Sequence, residues 1–142
     1  DLERIGEAYA RGEALFAEGP SARVFEEQVK ADLAFHQAIA EAAHNVMFGH
    51  LTASLFRVTH EHIDLNLRHL RRLEDDWQRL REQHAAIWNA VRGRDVAAAR
   101  DAVRRHIAFV EESMHARAQH EERESRAQLI RKLSRSETQP AE

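Results

Sequence analysis

Four polar residues, Asp32, His36, His84 and His106, stand where helical spacing calls for hydrophobes. The first two fall in the run Phe25, Val29, Asp32, His36, Ile39 and Ala43, which advances by three or four residues. Carboxylate and imidazole therefore lie inside an apolar stripe, with Cβ atoms roughly 5–6 Å apart if the segment is helical. His84 sits in the run Trp77, Leu80, His84, Ile87 and Val91, and His106 in Val96, Ala99, Val103, His106, Val110 and Met114. A buried carboxylate left without a partner costs roughly 3–5 kcal/mol, and a neutral imidazole needs a partner for each ring nitrogen. One divalent cation would satisfy all four groups, because imidazole nitrogen and carboxylate oxygen suit Zn, Ni, Mn or Fe. Coordination positions left open by these ligands could take a small acid by chelation. The competing reading is plain: core histidines bonded within the protein, and an ordinary Asp–His pair at i and i+4. Pattern alone leaves both open.

Positioning these groups is a task for helices. Five Gly and two Pro punctuate 142 residues rich in Ala, Leu, Glu and Arg, a mixture that favours helix. The punctuation predicts five. The first spans about Leu2 to Ala17, with Leu2, Ile5, Tyr9 and Phe16 on one face, and stops at Gly19-Pro20. Ser21 can cap the second, which reaches about His44, where Asn45 breaks or bends the chain. A third carries Phe48, Leu51, Leu55, Val58, Ile63 and Leu70. Asp75 and Asp76 suit the start of a fourth, which ends at Gly93, and Asp95 can cap a fifth running through Met114 toward Leu133. The expected division is a helical domain over 1–114 and a charged helical extension fraying into a disordered tail over 115–142.

Other groups offer less. His62 and Asn66 share a face with Leu55 and Val58, and with Thr59 they are candidates for lining a polar cavity or for marking the wet end of that helix. His60 and His62 point about 200° apart and cannot share a metal. Glu41-Ala42-Ala43-His44 makes half of a di-iron motif whose second half is absent. Arg57, Glu61, Asp64 and Arg68 lie on the opposite face, solvated or in a subunit contact. No Cys is present, so thiolate chemistry is excluded and a cytoplasmic setting is natural. No apolar run approaches the roughly 18 residues of a membrane span. A net charge of −3 makes the chain a poor nucleic-acid binder by itself. No hydrolase triad or phosphate-binding glycine loop occurs, so an enzyme is not expected.

Asp32-Leu-Ala-Phe-His36, Glu82-Gln-His84-Ala-Ala-Ile and Arg105-His106-Ile, with Asn45 at the helix junction, resemble the C-terminal effector domain of FadR-type GntR regulators. The steps of 48 residues from His36 to His84 and 22 to His106 fit that layout. Val46 departs from it, standing where a Pro is common. The resemblance covers roughly Asp1 to Met114. It implies an all-α, antiparallel helical bundle of the FCD type, lacking its first helix, with a metal (Zn first, then Ni, Mn or Fe) on Asp32, His36, His84 and His106. It also implies a homodimer and an N-terminal winged-helix domain, outside this chain, through which operator DNA is bound. His44-Asn45-Val46 and the charged tail look most like the pyruvate-dehydrogenase-complex repressor and lactate- and glycolate-responsive group. That points to a two- or three-carbon 2-oxo or 2-hydroxy acid such as pyruvate, lactate or glycolate. The expected function is a ligand-sensing and dimerisation domain. The alternatives are a metal-dependent helical-bundle enzyme acting on a small carboxylate, and a structural module whose histidines are ordinary core.

Overall fold

Helices account for all the regular structure in the computed structural model, which describes residues 1–17 and 22–137. They are α1 (Leu2–Ala17), α2 (Ala22–Glu41), α3 (Val46–Leu70), α4 (Glu74–Arg92) and α5 (Val96–Glu137). No strand occurs among the described residues. Short turns at 42–45, 71–73 and 93–95 reverse the chain, giving the expected antiparallel all-α bundle. The helices close a ring: α1 packs on α2 and α4, α2 on α3, and α5 on both α4 and α3. The Gly19-Pro20 stop and the Ser21 cap fall outside the described residues.

Local chemistry sets the boundaries. Asn45 is extended, and its side-chain oxygen accepts from Phe48 N at 3.0 Å, so the residue expected to break the chain also caps α3. Asp95 caps α5 by accepting from Ala98 N at 2.9 Å. Glu74, Asp75 and Asp76 fill the first turn of α4, where the helix dipole favours negative charge. Gly93 ends α4, yet the left-handed residue is the next one, Arg94, at φ 55°. A Cβ on Gly93 would lie 3.1 Å from the Asn89 carbonyl oxygen. Close approach explains that glycine better than backbone freedom does.

The core forms two clusters. Phe25, Val29, Leu67, Leu70, Leu80 and Phe109 make the first, and Ile5, Phe35, Ile87 and Ala102 the second. On three helices a polar residue separates a member of one cluster from a member of the other. Val29, Asp32 and Phe35 do so on α2; Leu80, His84 and Ile87 on α4; Phe109, His106 and Ala102 on α5. The bundle is thus built in two apolar layers with a polar layer between them.

Helix α3 departs from expectation. Its predicted core stripe included Leu51, Leu55 and Val58, which are 61%, 58% and 76% exposed. Ile63 and Leu70 of that stripe do face inward, joined by Thr52, Phe56, Asn66 and Leu67. Apolar residues occur on both sides of this helix, and packing against α2 and α5 selects the side that includes Phe56 and Leu70. Beyond the bundle α5 continues without a break through residue 114 to Glu137, becoming exposed from Ala118 to Lys132. Pairs such as Arg117–Glu121 and Glu122–Arg126, four apart, support the projecting helix by a few tenths of a kcal/mol each. No helix among the described residues is long and apolar enough to cross a membrane.

Helix α1 meets α4 where Gly6 faces the Trp88 ring. A Cβ there would come within 3.0 Å of the ring, which stacks on Tyr9 with centroids 6.0 Å apart. In an open helix Gly→Ala gains about 1 kcal/mol. At this contact Gly6→Ala is expected to reverse that sign and cost about 1 kcal/mol, read as a lower urea midpoint.

Candidate metal centre

Helices α2, α4 and α5 bring the four residues of the opening pattern into one layer. A ring nitrogen from each of His36, His84 and His106 lies within 4.8 Å of the others. The ring centroids are 5.2 Å apart for His36–His84, 5.0 Å for His36–His106 and 4.8 Å for His84–His106. Asp32 stands beside them, its Oδ1 3.3 Å from His84 Nε2 and 4.0 Å from His36 Nε2. Helical spacing accounts for this: Asp32 and His36 are one turn apart, while His84 and His106 face them from neighbouring helices.

Electrostatics make the cluster unusual for an ordinary core. Burial pushes the His36 imidazole down to about 4. His106 is also pushed down to about 4, by burial first and then by His36, with Asp32 opposing. His84 falls well below its ordinary value through burial, then through His36 and His106. All three rings are therefore neutral near pH 7. Burial pushes Asp32 up to about 6, with His106 pulling the other way. Near neutrality the site holds a carboxylate that its neutral surroundings do not compensate.

Hydrogen bonding leaves the same gap. His84 Nε2 is buried without a hydrogen-bond partner despite its closeness to Asp32. His106 Nδ1 lies 3.3 Å from Gln83 Oε1; donating there fixes the tautomer and leaves the other ring nitrogen with a free lone pair. Three neutral imidazoles and one carboxylate, including an orphaned buried nitrogen, fit a divalent cation in the chemistry of their donors. The three histidines could hold a metal ion, and Asp32 lies beside two of them.

A cavity of about 350 Å³ adjoins this layer, with Asp32, His36 and His106 in its wall. Asn66 lines it too. Its Nδ2 donates to Ser113 Oγ at 2.8 Å, and Ser113 donates in turn to Val110 O at 2.8 Å. The other two cavity candidates lie elsewhere. His62 is exposed and outside the wall, and Thr59 is outside it as well, donating to Leu55 O at 2.8 Å. The rotated face of α3 accounts for His62, whereas Thr59 is half-buried in phase with Thr52, Ile63 and Asn66 and still lies outside the wall. Asp64 and Arg68, expected to be solvated or in a contact, pair with each other at 2.7 Å, and the Arg68 guanidinium lies 4.3 Å from the Phe25 ring centroid.

Sequence reasoning missed Gln83, Thr52 and Phe56. Gln83 bears only its place before His84 as a signal, and the apolar pattern of α3 favoured the wrong face.

A family model for the FCD domain matches residues 1–109. A candidate L-lactate dehydrogenase operon regulatory protein of Escherichia coli (strain K12) is 32% identical over 85 residues, covering 60% of this chain and 33% of that protein. Its counterpart in Shigella flexneri matches equally. The HTH-type transcriptional regulator LutR of Bacillus subtilis (strain 168) is 33% identical over 117 residues, covering 79% of this chain and 49% of LutR. The chain spans a third to a half of the length of these relatives. All are regulators by name, so the likeness is to regulatory proteins and not to enzymes. No solved structure matches the chain.

Proposed function

The chain belongs to the FCD-domain family, the effector-domain type of FadR-like GntR regulators, and from that premise we propose that it senses a 2-hydroxy or 2-oxo carboxylate at a divalent metal. Asp32, His36, His84 and His106 would hold the ion. The observation that carries this reading is the buried group of three neutral imidazoles, one with an orphaned nitrogen, opening onto a cavity. A bound metal would supply a positive centre for a carboxylate and its neighbouring oxygen. Zn suits these ligands, and Ni, Mn or Fe would also be accepted.

In the whole protein, the domain would work as a cytoplasmic homodimer and pass the signal to an N-terminal winged-helix domain bound to operator DNA. The effector can shift that equilibrium only by binding one arrangement of the dimer more tightly than the other. Names of the relatives tie two of them to L-lactate dehydrogenase operons, which supports lactate, pyruvate and glycolate as first probes. Metal analysis of the purified chain should give one ion per protomer. Titration of the metal-loaded chain with these acids should then give saturable heat and a higher melting temperature. Absence of stoichiometric metal, or no response to any acid, would sink the reading.

A further inference from the structure

The cavity beside the metal centre is too large and too apolar for a three-carbon acid alone. An apolar cavity of roughly 150 Å³ takes a benzene ring of six heavy atoms. Lactate also has six heavy atoms, and here the space is about 350 Å³. With only the head of the ligand at the metal, much of this half-open space would stay filled with water against hydrophobic walls.

Those walls have little to offer a polar tail. Past Asp32, His36 and His106 they are formed by apolar side chains such as Phe56, Ile63, Val103, Val110 and Met114. The two polar side chains among them are engaged within the protein: Thr52 Oγ1 donates to Phe48 O at 2.9 Å, and Asn66 bonds Ser113. Among the described residues no Arg or Lys lines the cavity, so a second carboxylate or a phosphate would find no counter-charge there. The mouth is bordered by Phe48 and Ile107, 49% and 59% exposed, which extends the apolar path outward.

We propose that the preferred effector is a monocarboxylate with the chelating head of lactate and an unbranched or lightly branched apolar tail of several carbons. This rests on the sensing role proposed above and adds the specificity that the cavity walls impose. Each buried methylene is worth about 0.8 kcal/mol, or three- to fourfold in affinity, until the space is filled.

The test is calorimetric titration of the Zn-loaded chain with L-lactate, 2-hydroxybutyrate, 2-hydroxyhexanoate and malate. Affinity should rise three- to fourfold per added methylene along the first three, and malate should bind no better than lactate. Lactate matching or exceeding 2-hydroxyhexanoate, or malate binding most tightly, overturns the tail while leaving the sensing role standing. Failure of every acid to bind overturns both. Ile63→Trp, which narrows the cavity from α3, the lining helix that carries no metal ligand, should cancel the gain from the tail and keep the affinity for lactate. A gain that survives the narrowing counts against the assignment of the tail to this space.

Discussion

Loading the protein with Zn is expected to raise its melting temperature by roughly 10 °C over the chelated form, and His84→Ala should remove most of that difference. A ligand that binds only the folded state adds about 4 kcal/mol at a thousandfold excess over its dissociation constant. For a domain of this size each kcal/mol moves the melting temperature by about 2–4 °C. His84 is the most informative position because its buried Nε2 has no hydrogen-bond partner among the described residues. In the chelated form two costs oppose each other when it is cut to Ala. Removing an unsatisfied buried nitrogen recovers about 1–3 kcal/mol, while the space left behind costs an amount of similar size. With metal present a ligand is lost as well, and nothing offsets it. Ordinary core histidines would show the reverse pattern, with no response to Zn and the same loss from His84→Ala in both forms. Melting curves of both proteins with Zn and with chelator, alongside metal content, separate these outcomes.

How much of this could be read beforehand follows from where each signal resides. Periodicity located the polar layer because Asp32, His84 and His106 each interrupt an otherwise apolar run. Helix α4 buries the face expected of it, while α2 buries Phe25 and Val29 as expected but leaves Ala43 exposed and buries Phe35 and Ala40 from outside the run. Sequence could not show that each interruption separates two core clusters, because that depends on how the helices lie beside one another. Helix α3 marks the limit. Its sequence offers Leu51, Leu55 and Val58 on one side and Phe56, Ile63, Leu67 and Leu70 on the other. Local pattern has no means to rank two apolar faces, and contact with α2 and α5 decides between them. The same rotation took His62 away from the cavity and kept Asn66 in it. On α5 the most buried positions are Ala102, His106, Phe109 and Ser113. Val103 packs against the second core cluster and also lines the cavity, while Val110 and Met114, read as core, line the cavity wall.

Acidification supplies the second large effect, because the polar layer binds protons differently once the chain unfolds. In the chelated protein His36 and His106 titrate near 4, against an ordinary 6.5. Between those values the unfolded chain takes up protons that the folded chain refuses, so stability is lost as pH falls through this window. His84 is shifted in the same direction and adds to the loss. Asp32 acts oppositely. Its folded value near 6, against 3.8, means that its destabilising contribution is full above pH 6 and is relieved as pH falls. Two imidazoles outweigh one carboxyl, leaving a net loss of about 2 kcal/mol between pH 7 and 5, before His84 is counted. Urea titrations at pH 7, 6 and 5 with chelator present should show this decline. Asp32→Asn should steepen it, since the opposing carboxyl is gone while the imidazoles remain. Zn should hold the midpoint higher at pH 7 and lose its advantage toward pH 5, because protons compete for the same lone pairs. Stability that rises from pH 7 to 5 in the chelated protein would mean that the three imidazoles are not held neutral, and the account of the polar layer would fall with it.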